Sequence, residues 1–236
     1  MKIGAIIFSR FSSSRLPGKA FMDISGKTLI ERVIDRAMKL KSVDHIALAT
    51  STNLEDDKIA SYAKLRGIDV YRGSLDDVAG RAMGACLKFK YDHFLRICAD
   101  RPFFDPNLYD YMISYHRKHK HDLTTNIFPR IVPPGFTCEV IDVKAFKKML
   151  ELTNDRKDRE HVTRFIYRNS NDFSIANVDY KKSYNYPNLR LVIDDKLDLE
   201  RARWISSRSN ENNNSNQIIS LALQWEKIKK YSIWLF

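Results

Sequence analysis

No stretch of this 236-residue chain approaches the roughly 20 consecutive apolar residues that a membrane-spanning helix needs, and no membrane partner is expected. Cysteine is scarce. Cys86, Cys98 and Cys138 make an odd number with no CxxC pair, which points away from a disulfide framework and from a zinc site. All three sit in apolar contexts and read as core residues. There is no internal repeat. The two glycine-based phosphate cradles, GxxxxGK[ST] and GxGxxG, are both missing. The N-terminal MKIGAIIF has one lysine and only a short apolar run, without the longer apolar core and small-residue cleavage site of a signal peptide. It reads as a first strand, and a cytoplasmic protein is expected.

What the chain does have is positive charge: 40 Lys and Arg against 29 Asp and Glu, a net +11. Such a balance suits nucleic acid, a membrane surface or small polyanions such as nucleotides. The basic residues are dispersed, and no nucleic-acid reader motif is present, so nucleic acid is not the expected partner. The densest basic run, HRKHKH at 116–121, reads as the solvated end of a helix; the alternative is a metal or nucleic-acid patch.

Apolar runs alternate with helical periodicity. Strands are predicted at residues 2–8, 45–50, 68–71 and 93–98, with helices at 28–40, 54–65 and 78–89 between them. That rhythm predicts an α/β fold, a mostly parallel sheet with helices on both faces. Beyond Asp100 the pattern loosens. Helices are expected at 107–116, 143–152, 159–168 and 197–207, and strands near 123–127, 136–141, 174–178 and 189–193. The sequence divides into a domain at 1–208, a polar linker SNENNNSN at 209–216 and an amphipathic C-terminal helix at 217–236 that ends in SIWLF.

The loop FSRFSSSRLPGK follows the first strand directly. Pro17 and Gly18 suit the two central positions of a type II turn, which would aim Arg15 and Lys19. Arg10, Ser13, Arg15 and Lys19 together suit phosphate oxygens, Arg as a fork and Lys as a point charge. Read alone, the stretch is also an ordinary basic surface loop. Asp100 and Asp194 each follow a predicted strand, the edge at which parallel sheets bind ligands. Each also reads as a cap, Asp100 before a Pro turn and Asp194 before the helix after Lys196. With the cationic loop they make a candidate Mg²⁺ site, since Mg²⁺ takes one or two carboxylates and bridges to phosphate.

The stretch SRFSSSRLPGKAFMDISGKTLIERVIDRA resembles the opening of the sugar cytidylyltransferases, among them the CMP-KDO and CMP-acylneuraminate synthetases. It is most similar to the spore-coat polysaccharide nucleotidyltransferase branch. ATSTNLEDDKIASYAKLRGIDVYRGSLDDVAGR, RICADRPFFDP, DREHVTRFIYRN and LRLVIDDKLDLE resemble further motifs of that branch in the same order, over about residues 1–207. The resemblance implies a Rossmann-like nucleotidyltransferase fold. Arg10, Ser13, Arg15 and Lys19 match the triphosphate loop, Arg72 and Ser74 the segment facing the nucleobase, and Asp100 and Asp194 the metal carboxylates. Arg159, Glu160 and His161, with Glu139, match a segment near the acceptor. Ala99 stands where the family has glycine, Ser9 replaces alanine, Phe8 replaces a common glutamine, and DDKLD replaces DTPED, adding Asp195.

The implied reaction is transfer of CMP from CTP to an acidic sugar of the KDO or nonulosonate kind, with Mg²⁺ as cofactor and pyrophosphate leaving. Arg15, Lys19 and Asp100 would be the catalytic residues, and a homodimer is expected by family habit. The alternatives are another NTP, a phosphorylated or phosphonate acceptor, or a non-catalytic nucleotide-sugar binding protein.

Overall fold

A computed structural model describes residues 1–13, 15–209 and 214–232. Strand β1 (Ile3–Phe8) is buried along its whole length. Its side chains alternate between two cores, Ile3, Ala5 and Ile7 in one and Ile6 and Phe8 in the other. A strand buried on both faces needs helices on both sides of its sheet, and the chain supplies them. A short hairpin, β2 (Asp23–Ile24) and β3 (Lys27–Thr28), leads into α1 (Leu29–Ala37), followed by β4 (His45–Ser51), α2 (Asp57–Leu65), β5 (Asp69–Gly73), α3 (Val78–Phe89) and β6 (His93–Cys98). The second half adds α4 (Pro106–His119), β7 (Leu123–Thr125), β8 (Glu139–Asp142), α5 (Val143–Leu152), α6 (Arg156–Glu160), α7 (Arg164–Arg168), β9 (Ile175–Asn177), α8 (Lys196–Ser207) and α9 (Ser215–Ser232).

The seven-stranded sheet has the order β5-β4-β1-β6-β8-β7-β9. β5, β4, β1 and β6 run parallel. β8 is antiparallel to both its neighbours, and β7 pairs with β9 in parallel. Helices α1, α4 and α8 cover one face, and α3 and α5 cover the other. This is the expected α/β architecture with a mostly parallel sheet.

Three stretches differ from their sequence reading. Residues 189–193 form no strand. Leu191 donates its N–H to Pro134 O (2.7 Å) and Ile193 donates to Asp100 O (2.9 Å), but Pro134 has no N–H to return and a ladder cannot propagate. The helix expected at 159–168 breaks into α6 and α7, because the Thr163 hydroxyl turns inward to Glu139 (2.8 Å). The C-terminal helix starts at Ser215, and Ile218, Ile219 and Ala222 enter the main core while Trp225 lies against Trp204. Linker residues 210–213 and residues 233–236, most of SIWLF, lie outside the described residues.

The basic run at 116–121 is not wholly solvated. His116 is fully buried, three and four residues beyond Ile113 and Met112 on the core face of α4. Its ring bonds to Thr124 (2.8 Å) and to His93 (3.0 Å), and His93 in turn faces Asp142 at 3.4 Å. Burial, then the neighbouring His93, holds His116 down to about 3, and burial lowers His93 as well. Unfolded histidine protonates near 6.5. The unfolded chain therefore binds the extra proton between about pH 6.5 and 3, so stability is complete above that window and falls as pH drops through it. By pH 5, one such histidine costs about 2 kcal/mol, before unfolded carboxylates begin to titrate. The melting temperature should fall by about 4–8 °C between pH 7.5 and pH 5, and His116→Gln should flatten that slope. An equally steep slope in the variant would assign the acid sensitivity elsewhere.

Candidate active site

From β1 the chain builds outward to β4 and β5, then crosses back to place β6 on the other side of β1. The crevice beyond the carboxyl ends at such a reversal is where open α/β sheets take ligands. A cavity of about 320 Å³ opens there. The end of β1 contributes Phe8 and Ser9, and the end of β6 contributes Cys98, Ala99 and Asp100. Arg10, Ser13, Arg15 and Lys19 come from the loop after β1, Arg81 from α3, Glu160 and His161 from the end of α6, and Asp194 from the segment before α8. Cys98, expected in the core, is only partly buried here.

The loop is held by its backbone. Lys19 N–H bonds to Leu16 O (3.2 Å) across Pro17-Gly18, and Gly18 at φ 70°, ψ 9° occupies the left-handed position of a type II turn. A side chain at Gly18 would be strained there and would press on the Phe11 ring at 3.2 Å. Gly18 N–H closes on Phe11 O (3.0 Å), and Leu16 is buried as an apolar anchor. The far end is tied by Asp56, whose carboxylate accepts from Phe11 N (2.6 Å) and from Ser51 N (2.9 Å). Burial would raise the pKa of Asp56, but the bonds from Ser51 and Phe11 prevail and lower it.

Asp194 is surrounded by cations: Lys19 at 3.2 Å, Arg15 at 3.3 Å and Arg190 at 3.5 Å. Lys19 also donates to Ile193 O (2.7 Å). The Asp194 backbone is fixed by Asp198, which accepts its N–H at 3.0 Å. Despite burial, hydrogen bonds from Arg190 and Arg201 hold the Asp198 carboxyl down to about 2. The helix cap is Asp195, not Asp194: its side chain accepts from Asp198 N (2.9 Å). Asp100 Oδ1 is buried without a hydrogen-bond partner, and the nearest cation, Arg101 Nε, is 3.8 Å away. A buried acceptor left without a partner is costly, and a hard cation suits such an oxygen. Among the described residues no three potential ligands cluster. An ion held by Asp100 and Asp194 would therefore complete its shell with substrate oxygens or water, as Mg²⁺ commonly does.

Not every predicted site residue reaches this cavity. Arg72 donates to Ser51 O (2.8 Å) and Asn53 O (2.9 Å) and pairs with Asp57 at 2.6 Å. Ser74 Oγ accepts from Asp77 N (3.0 Å). Arg159 is engaged with Leu150 O, Thr153 O and Asn154. Glu160, by contrast, does line the cavity and there reaches Arg10 at 3.5 Å. Glu139 is fully buried in β8. It pairs with Arg96 at 2.6 Å and accepts from Thr163 and Tyr167, each at 2.8 Å. Burial would raise its pKa, but Arg96 and Arg101 lower it. Glu139 lines a second cavity of about 490 Å³, which shares Arg96 and His161 with the first.

Residues that the sequence reading did not single out include Asp56, Arg81, Arg96 and Asp198. Each stands inside a quoted stretch: NLEDD, RGSLDDVAGR, RICAD and DDKLD. A charged residue within a matching stretch was the available signal. Among the described residues, no helix is long and apolar enough to cross a membrane.

The family profile described as "Cytidylyltransferase" matches residues 4–224. The chain is 30% identical to the uncharacterized protein MJ1063 of Methanocaldococcus jannaschii, over 82% of this chain and 79% of that one. It is 28% identical to the spore coat polysaccharide biosynthesis protein SpsF of Bacillus subtilis, over 87% of each. Among solved structures, a cytidylyltransferase from Leptospira borgpetersenii superposes with a TM-score of 0.84 at 26% identity, covering 98% of this chain and 95% of that one. With a profile match that runs from β1 into α9, and a cation-lined cleft at the reversal of its sheet, the chain belongs to the cytidylyltransferase family of nucleotidyltransferases.

Proposed function

We propose that the protein transfers CMP from CTP to a small acidic sugar of the 2-keto-3-deoxy kind, such as KDO or a nonulosonate, releasing pyrophosphate. The product would serve synthesis of a surface polysaccharide or glycan. The observation that carries this reading is the pairing of two cavities. The cleft lined by Arg10, Arg15 and Lys19 shares Arg96 and His161 with a second cavity whose wall holds five arginines. Two adjoining cation-lined spaces suit an anionic nucleotide beside an anionic acceptor.

Arg10 and Ser13 would grip phosphate oxygens. Arg15 and Lys19, drawn from Asp194 toward the nucleotide, would stabilise the leaving pyrophosphate. The sugar's anomeric hydroxyl would attack the α-phosphate in line, from the side of Arg96 and His161. Catalysis would then consist mostly of positioning and charge neutralisation. Asp100 and Asp194 would hold Mg²⁺, which supplies charge neutralisation at the phosphate oxygens.

Magnesium-dependent pyrophosphate release, measured with each of the four NTPs against a panel of sugar acids, tests the reading. CTP with a 2-keto-3-deoxy acid should give the fastest turnover. A preference for another NTP, or for neutral or phosphorylated sugars, would overturn it. Arg72→Ala should lower the melting temperature, since it frees two carbonyls and Asp57, and should weaken CTP and UTP alike. A loss confined to CTP, read by equilibrium binding, would instead put Arg72 on the base.

A further inference from the structure

The arginines of the second cavity are not equivalent. Arg96 is paired with Glu139 at 2.6 Å. Arg164 is paired with Asp158 and with Asp155, and Arg168 with Asp158 at 3.1 Å. Asp158 is itself fully buried, so Arg164 and Arg168 are balanced from within the fold. Arg101 and Arg130 are left. Arg101 is 8% exposed, donates to Thr137 O at 2.6 Å, lies beside the Tyr109 hydroxyl, and among the described residues its nearest carboxylate, Asp100, is 3.8 Å away. Arg130 donates to the hydroxyl of the same residue, Thr137 Oγ1, at 3.0 Å. No carboxylate lies within 4 Å of Arg130 among the described residues. Two guanidiniums of one sign therefore converge on one threonine in the cavity wall, neither hydrogen-bonded to a carboxylate among the described residues, with Glu139 drawing on both from a distance. Burial and the neighbouring Arg101 act against the charged form of Arg130 and outweigh the opposing pull of Glu139. Like charges in a half-buried place repel, and an anion between them relieves the repulsion.

We infer that Arg101 and Arg130, assisted by the Thr137 hydroxyl, form a clamp for the carboxylate of the acceptor and so determine its acidity requirement. The inference rests on the acceptor reading above and goes beyond it by naming the residues that read the acid. A planar carboxylate can take parallel hydrogen bonds from a guanidinium fork, which a neutral sugar cannot offer. The clamp lies in the same cavity as Arg96 and His161, the residues that border the nucleotide cleft. An acid held there would present the rest of the sugar toward that cleft. Arg101 stands directly after Asp100, so one backbone segment would register the acid against the metal carboxylate.

Calorimetric titration of the full chain with 3-deoxy-manno-octulosonate and with its methyl ester tests the clamp without requiring turnover. The wild type should bind the acid about 10- to 100-fold more tightly than the ester, the scale of losing hydrogen bonds to a charged group. Arg130→Gln should lose about that factor for the acid and little for the ester, with CTP affinity unchanged. Arg101→Lys, which keeps the charge but not the fork, should weaken the acid as well. Should that buried variant fail to fold, Arg130→Gln decides alone. Wild-type affinity for the acid in Arg130→Gln, or equal losses for acid and ester, would overturn the clamp. So would failure of the wild type to bind the acid at all. Pyrophosphate release that is absent with CTP while the acid still binds through Arg130 would overturn the proposed reaction and leave the clamp standing.

Discussion

Asp100→Asn and Asp194→Asn should each remove most of the magnesium-dependent turnover, and the double variant should lose little more than either alone. The two carboxylates reach one cavity from distant parts of the chain, and the backbones beside them are joined by the bond from Ile193 N–H to Asp100 O. If they hold one ion, removing either disables the unit, and the losses cannot add. Each single variant should also require more Mg²⁺, because each loses a hard anionic ligand. Stability separates the two sites. Asp100 Oδ1 has no hydrogen bond to lose and only a long 3.8 Å contact with Arg101, so Asp100→Asn should leave the melting temperature nearly unchanged. Asp194 balances Lys19, Arg15 and Arg190. Asp194→Asn should therefore lower the melting temperature by a few degrees, on the scale of about 1 kcal/mol. From sequence alone, repulsion between the two carboxylates predicts no loss at either position; the three cations around Asp194 reverse that for one of them. Melting curves and Mg²⁺ titrations of the three variants, with multiplicative rate losses and an unaltered magnesium requirement, would exclude a shared ion.

Lys19→Ala should fold and be nearly inactive, with turnover reduced by about 10²–10³, the cost of one charge-assisted contact made mainly in the transition state. The lysine is 16% exposed and anchored on Ile193 O and Asp194, so its ammonium is held at the cavity wall rather than left to wander in solvent. The turn at Pro17-Gly18 does not depend on that side chain, because it closes through Lys19 N–H and Leu16 O. The melting temperature should drop by about 4–8 °C, for two lost hydrogen bonds of about 1 kcal/mol each. Single-turnover rates with CTP at saturation give the test. A variant that retains wild-type turnover would show that the loop does not serve the triphosphate.

Much of the fold was legible because it rests on local periodicity. The unbroken apolar run of Ile3–Phe8 and the one-faced pattern of Leu29, Ile30, Val33 and Ile34 are local signals, one of a strand buried on both faces and one of a helix with a single buried face. The Pro17-Gly18 turn was legible for the same reason, since a left-handed φ next to proline is a local demand. The chain's charge and its missing glycine cradles likewise pointed to a small polyanion gripped by side chains.

Other features depended on partners far away in sequence. His116 belongs to a basic run, yet it is buried because α4 packs its 112–113–116 edge beside Thr124 and His93. Residues 189–193 are apolar and strand-like, yet the neighbour they meet is a proline that cannot continue a ladder. Arg72 and Arg159 read as ligand residues, yet their guanidiniums are engaged with nearby carbonyls. The distinction among five arginines in one cavity was likewise invisible, because the acids that balance three of them, Glu139, Asp155 and Asp158, sit on other elements. By itself the sequence determined the α/β class, the two-faced sheet and the cationic turn, since each follows from residues within a few positions of one another. Only the tertiary structure decided which charges are neutralised inside the fold and which remain to meet a ligand. Neutralisation depends on distances between residues that the chain itself keeps far apart.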